Sequence, residues 1–309
     1  MIAIILAKKI LSLFLIMVMG AALVKSKVLK AEDSKSISVV TLYLVMPCVI
    51  ISSFQVEYTE EIRDGLVLAL IGAVLVHVVL IAVTAILGKA LRWDPVEKDS
   101  AIYSNAGNLI IPIVTAMLGK EWIIYTSAFL SVQLILLWSH GKMVLCGEKK
   151  IDIKRIVTNV NMISILVGIL LFICRIELPA VLRDSVDTVG SMVGPAAMIV
   201  TGMLIGNMDL KKLTAYRKLP MMIFVRLMGF PLLNILLLKI SGLAGMVPAG
   251  ETILLITLLA TITPSASTIT QMAQVYGKDA DYASAINVAT TLLCIITMPV
   301  MVMIYQYVM

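Results

Sequence analysis

The sequence predicts an all-α membrane protein of ten transmembrane helices, arranged as a 5+5 inverted repeat whose fourth and ninth helices are broken and cross. Three observations carry that prediction. The 309 residues are 60% hydrophobic and 14% charged, with a mean hydropathy of +1.03, far too apolar for a soluble globular chain. Apolar runs of bilayer length follow one another with connections of about ten residues, which leaves no room for a soluble domain. Prolines recur at matching places in the two halves.

The runs fall at 2–24, 36–55, 64–88, 99–118, 122–146, 156–174, 179–206, 219–240, 250–276 and 281–308. The first has Lys8 and Lys9 ahead of an apolar stretch, as a leader would. Charge parity assigns it as a retained span. If all ten runs cross, the odd connections carry 17 cations, among them Lys25, Lys27, Lys30, Lys35, Lys142, Lys149, Lys150, Lys211 and Lys212; the even ones carry only Arg63, Lys120, Arg175, Arg183 and Lys239. The positive-inside rule then puts the odd connections in the cytoplasm and both termini outside the cell or bacterial inner membrane. The formal charge of +6 is therefore a topology signal, and a nucleic-acid partner is excluded.

Cys48, Cys146, Cys174 and Cys294 lie in or at the ends of apolar runs without metal-ligand spacing, so they read as small apolar side chains with no disulfide or metal role. No phosphate-binding loop, acidic metal motif or nucleophile elbow is present. The chain is expected not to be an enzyme and to hold no cofactor.

Pro47 and Pro112 lie 65 apart, Pro195 and Pro264 lie 69 apart, and the pairs match at an offset of 148–152. Residues 1–150 and 151–309 thus form two repeats of five helices. Because five is odd, the second enters the membrane from the opposite face. Two such bundles can exchange roles around one midplane pocket, which is the logic of a secondary carrier.

The polar interruptions mark that pocket. The fourth run contains Asn105, Gly107, Asn108 and Pro112, and the ninth contains Thr263, Pro264, Ser265, Ser267 and Gln271. Proline withdraws a backbone donor, so each helix is expected to break at its proline and border a cavity. Half-helix N-termini facing the crossing favour an anionic substrate group. His77 and Arg226 are the ionisable groups far from the bilayer edges, 149 positions apart. The imidazole is expected to couple a proton and the guanidinium to hold a carboxylate.

Asn105-Ala-Gly107-Asn108 with Pro112, Thr263-Pro264-Ser265-Ala266, Ala273-Gln274-Val275-Tyr276, Asp281-Tyr-Ala-Ser284 and Met298-Pro299 together resemble the auxin efflux carrier family in its short bacterial form. Leu44-Val45-Met46-Pro47 and Val193-Gly194-Pro195-Ala196 extend the likeness over nearly the whole chain. The resemblance implies a scaffold part and a mobile part with the crossed helices, moving small organic anions such as malate, malonate or auxin-like acids. The coupling ion is expected to be a proton or sodium, and a homodimer is compatible with the sequence. A sodium-coupled bile-acid-type symporter and a membrane sensor that binds without moving its ligand are the competing readings.

Overall fold

The computed structural model describes residues 2–147, 153–207, 213 and 215–309. Lys149, Lys150, Lys211 and Lys212 of the cation count lie outside the described residues. The described residues are helical apart from connections and one isolated β-bridge.

Among the described residues, beside a short helix at Ile153–Val157, twelve helical segments carry the architecture. They are α1 (Ile2–Lys25), α2 (Ala31–Ser53), α3 (Glu60–Ala90), α4 (Pro95–Ile102), α5 (Ala106–Met117), α6 (Lys120–Cys146), α7 (Val160–Ile173), α8 (Ala180–Asn207), α9 (Leu219–Ser241), α10 (Gly250–Thr261), α11 (Ser267–Val275) and α12 (Ala280–Val308). Six of these, α2, α3, α6, α8, α9 and α12, are long and apolar enough to span a membrane; α1 contributes an apolar stretch over Leu11–Lys25, and α5, α7 and α10 are shorter apolar helices.

Local chemistry sets the starts. Thr59 caps α3 by accepting from the Ile62 N–H at 3.1 Å, with Glu60 and Glu61 in the first turn and Lys89 in the last, each favourable to the helix dipole. Asp94 and Glu97 form a reciprocal capping box at α4, both bonds 2.8 Å, with Pro95 in its first turn. Asn159 and Asp279 cap α7 and α12.

Two groups of helices pack together. In the first, α1 lies along α8, while α2 sits against α7 and α8. Glycine permits the α1–α8 approach. A Cβ on Gly202 would collide with the Met17 carbonyl, one on Gly20 with the Ile199 carbonyl, and one on Gly206 would come within 2.8 Å of the Ala21 carbonyl. Gly202 and Gly206 form a G-x-x-x-G pair, whose small faces let helix backbones touch in lipid. The second group contains α3 to α6 and α9 to α12, with α4, α5, α10 and α11 at its centre.

Of the two prolines expected to break their helices, one does and one does not. Only Pro264 lies in a break. Pro112 sits inside α5, which runs unbroken from Ala106 to Met117, and Pro47 sits inside α2. A missing N–H removes one helical bond but does not by itself end a helix whose other bonds survive. Wide π-turns instead precede two of the prolines, Thr41–Val45 before Pro47 and Val225–Gly229 before Pro231. Among the described residues no disulfide joins the cysteines.

Candidate transport site

The break in one helical pair faces the break in the other. Residues 103–105 separate α4 from α5, and residues 262–266 separate α10 from α11. Ser104 and Ser265 form an antiparallel β-bridge. The Asn105 N–H donates to the Pro264 carbonyl at 2.8 Å, and the Ala266 N–H to the Tyr103 carbonyl at 3.0 Å. Each interrupted backbone thus satisfies the other, as buried peptide groups away from water require.

Side chains from the following long helices complete the junction. Gln133 of α6 accepts from the Ser104 N–H at 3.1 Å and the Ser104 hydroxyl at 2.6 Å, and donates to the Ser104 carbonyl at 2.9 Å. On the other side, Asn287 of α12 donates to the Ser265 carbonyl, while the Ser265 N–H donates to the Thr290 hydroxyl at 3.2 Å. In both breaks, therefore, an amide from the next long helix holds the central serine. The Ser265 hydroxyl is buried and has no partner.

Arg226 reaches the same point from α9 and is fully buried. One guanidinium nitrogen donates to the carbonyls of Ala101 and Ile102 at 3.0 and 3.4 Å; the other donates to those of Thr261 and Thr263, both at 2.8 Å. The carbonyls of Ala101, Ile102 and Thr261 end α4 and α10, where a helix dipole leaves partial negative charge; that of Thr263 belongs to the break itself. The planar fork of arginine can serve two diverging chain ends at once. The π-turn Val225–Gly229 carries Arg226; such widened turns often sit at functional positions.

The other residues expected at the site divide. Asn105 is buried and Asn108 half-buried, joined by an Nδ2 to Oδ1 bond of 3.0 Å. Thr263 and Ser265 are buried in the junction, and Pro264 contributes its carbonyl. Ser267 opens α11 half-buried, but Gln271, one turn on, is exposed. Pro112 stands apart from the break, against α8: a Cβ on Gly194 would lie 2.9 Å from its own Cβ. His77 is enclosed, its Nδ1 2.7 Å from the Ala73 carbonyl and its ring 4.9 Å from Phe129. Between the two helix groups lies a small apolar cavity lined by Leu13, Met17, Leu109, Met198 and Cys294 among others.

Several junction residues were not singled out by sequence reasoning. Gln133 and Asn287 lie in spans without a conspicuous break, although an amide deep in an apolar run was a usable signal. Asp99 sat at the edge of an expected run, yet it is fully buried one turn before the junction, and neither carboxylate oxygen has a hydrogen-bond partner. Glu97, equally buried, accepts from Lys218 at 3.0 Å and from the Tyr282 hydroxyl at 3.1 Å, tying together the starts of α4, α9 and α12.

Two interrupted helical pairs joined by their backbones inside an apolar helix bundle define a multi-pass membrane transport protein. The chain belongs to the membrane transport protein family, that of the auxin efflux carriers, whose pattern matches residues 5–153 and again 144–302. No individual curated protein matches the sequence significantly.

Proposed function

We propose that this protein is a secondary active carrier of small organic anions, mono- or dicarboxylates of the size of malate or malonate or auxin-like acids, working by alternating access in a cell membrane. The observation that carries this is the backbone junction of two opposed helix breaks. Its outer half-helices, α5 and α11, start at the crossing, so their first N–H groups and positive dipole ends point towards it. Asn105, Asn108 and Ser267 stand at those starts and supply polar partners for a carboxylate, while the group formed by α1, α2, α7 and α8 provides the wall against which the crossing bundle moves.

The proposed topology is ten spans as two inverted repeats, 1–150 and 151–309, with both termini outside. Contacts among the connections support it. At one end Glu97 of the third connection meets Lys218 of the seventh and Tyr282, the second residue of the tenth run. At the other, Gln55 at the end of the second run accepts from the Leu178 N–H in the sixth connection at 2.7 Å, and Lys120 in the fourth lies 3.9 Å from Asp187, early in the seventh run. The connections that these contacts reach are odd at one end and even at the other, which supports strict alternation.

The test is movement of a panel of labelled organic acids into liposomes holding the purified protein. Saturable flux of at least one acid is expected. Asn108→Leu, which replaces a polar wall group by an apolar one of similar size, should weaken apparent affinity at least about tenfold, the loss of one good polar contact at about 1.4 kcal/mol, while the protein still folds. Absence of flux across the whole panel, or binding without flux, overturns the carrier reading.

A further inference from the structure

The two half-helices that end at the crossing bring negative poles together, and the structure shows what answers them. Four carbonyl oxygens, from Ala101, Ile102, Thr261 and Thr263, converge on one fully buried guanidinium. Such a set of converging backbone carbonyls at broken helix ends is what a site for a bare alkali cation is made of. Here both terminal nitrogens of Arg226 fill it, and every hydrogen bond the side chain makes is to a carbonyl; its Nε is buried without a partner. A buried charge of this kind is tolerable only where oriented dipoles replace its lost hydration.

We propose that these four carbonyls form a cation-binding site whose permanent occupant is the guanidinium of Arg226, so that the crossing requires no inorganic cation. Arg226 belongs to α9, which packs against α10, α12 and α4, and so the tethered charge moves with the crossing helices and is not released on either side. The consequence is sodium- and potassium-independent transport. That consequence rests on the carrier reading above, whereas occupancy of the site does not. It also gives Arg226 a positioning role: it holds the two breaks together and contacts the substrate only through the field it supplies.

The experiment uses the full-length protein with Arg226→Ala, Arg226→Lys and Arg226→Gln. Thermal unfolding in detergent reads the site without any substrate. For Arg226→Ala, millimolar methylguanidinium should recover most of the lost thermal stability, sodium or potassium less, and tetramethylammonium none. In liposomes the wild-type flux should change less than about twofold when sodium and potassium are replaced by choline, and Arg226→Ala flux should fall at least about tenfold and rise again with methylguanidinium. Equal responses of Arg226→Ala to methylguanidinium and tetramethylammonium, or a wild-type requirement for sodium, overturns the proposal. If Arg226→Ala does not fold, Arg226→Lys must be more stable than Arg226→Gln; equal stability of those two also overturns it. A failure of every acid to move sinks the carrier reading alone, since the thermal measurements stand independently.

Discussion

Replacement of Gln133 tests the junction most directly, because one side chain satisfies all the hydrogen-bonding groups of Ser104. Its amide makes three bonds, of 2.6, 2.9 and 3.1 Å, to the hydroxyl, carbonyl and N–H of that one residue. Gln133→Leu keeps the approximate volume and removes all three. Each bond contributes about 1 kcal/mol net, and each buried group left unmatched costs about 1–3 kcal/mol. Some relaxation is available, so the expected loss is about 3–5 kcal/mol. At about 2 °C per kcal/mol for a chain of this size, the midpoint falls by roughly 6–10 °C. Asn287→Leu removes one bond, to the Ser265 carbonyl, and should lose about a third as much. Thermal unfolding of the purified variants in one detergent gives the ranking, and liposome flux shows whether the loosened crossing still works. Gln133→Leu with wild-type stability and flux, or Asn287→Leu as the more damaging change, would refute the view that the breaks are held by these amides.

Three further outcomes are expected. Gly202→Ala places a methyl on the Met17 carbonyl and should cost about 1–3 kcal/mol by overpacking, whereas Gly245→Ala, with open space around it, should be near neutral; unfolding of both in the same detergent compares them. His77→Ala empties a ring site beside Phe129 and is expected to lose about 2–4 kcal/mol with the pH profile of flux between about 5 and 8 unchanged; a flattened profile would return the imidazole to proton coupling. Asp94 lies in the connection before α4, where burial first and the Glu97 charge as well hold its carboxyl above the usual carboxylate range, against the N–H bonds of Glu97 and Val96 and the Lys218 charge that lower it. A raised acid favours its protonated form in the fold, so its contribution to stability is present at low pH and is lost as pH rises through the folded value. Asp94→Asn retains a capping oxygen and removes that loss, so its stability relative to wild type should increase from about pH 4 to pH 7; a decrease over that interval would contradict the assignment.

Much was legible in the sequence because the bilayer imposes strong rules on it. Length and apolarity of the runs at 36–55, 64–88 and 281–308 anticipated α2, α3 and α12 within a few residues, since a spanning helix must satisfy its own backbone. Polar clusters around Asn105 and Thr263 drew attention to the segments that meet at the junction, because uncompensated amides and hydroxyls are expensive at that depth.

What only the tertiary structure decided is how those segments answer one another. Pro112 offered the sequence a place for the first break, but the interruption lies seven to nine residues earlier, at 103–105, where the second break of the same chain, at 264–266, supplies bonds to its free peptide groups. Arg226 carried the same chemical formula whether it snorkelled, bound substrate or capped helix ends; the π-turn before Pro231 and the carbonyls of α4 and α10 selected the last. Periodicity and composition register what one helix needs from its surroundings. Which distant carbonyl, amide or glycine meets that need depends on contacts between residues from 22 to more than a hundred positions apart, and those exist only once the helices have packed.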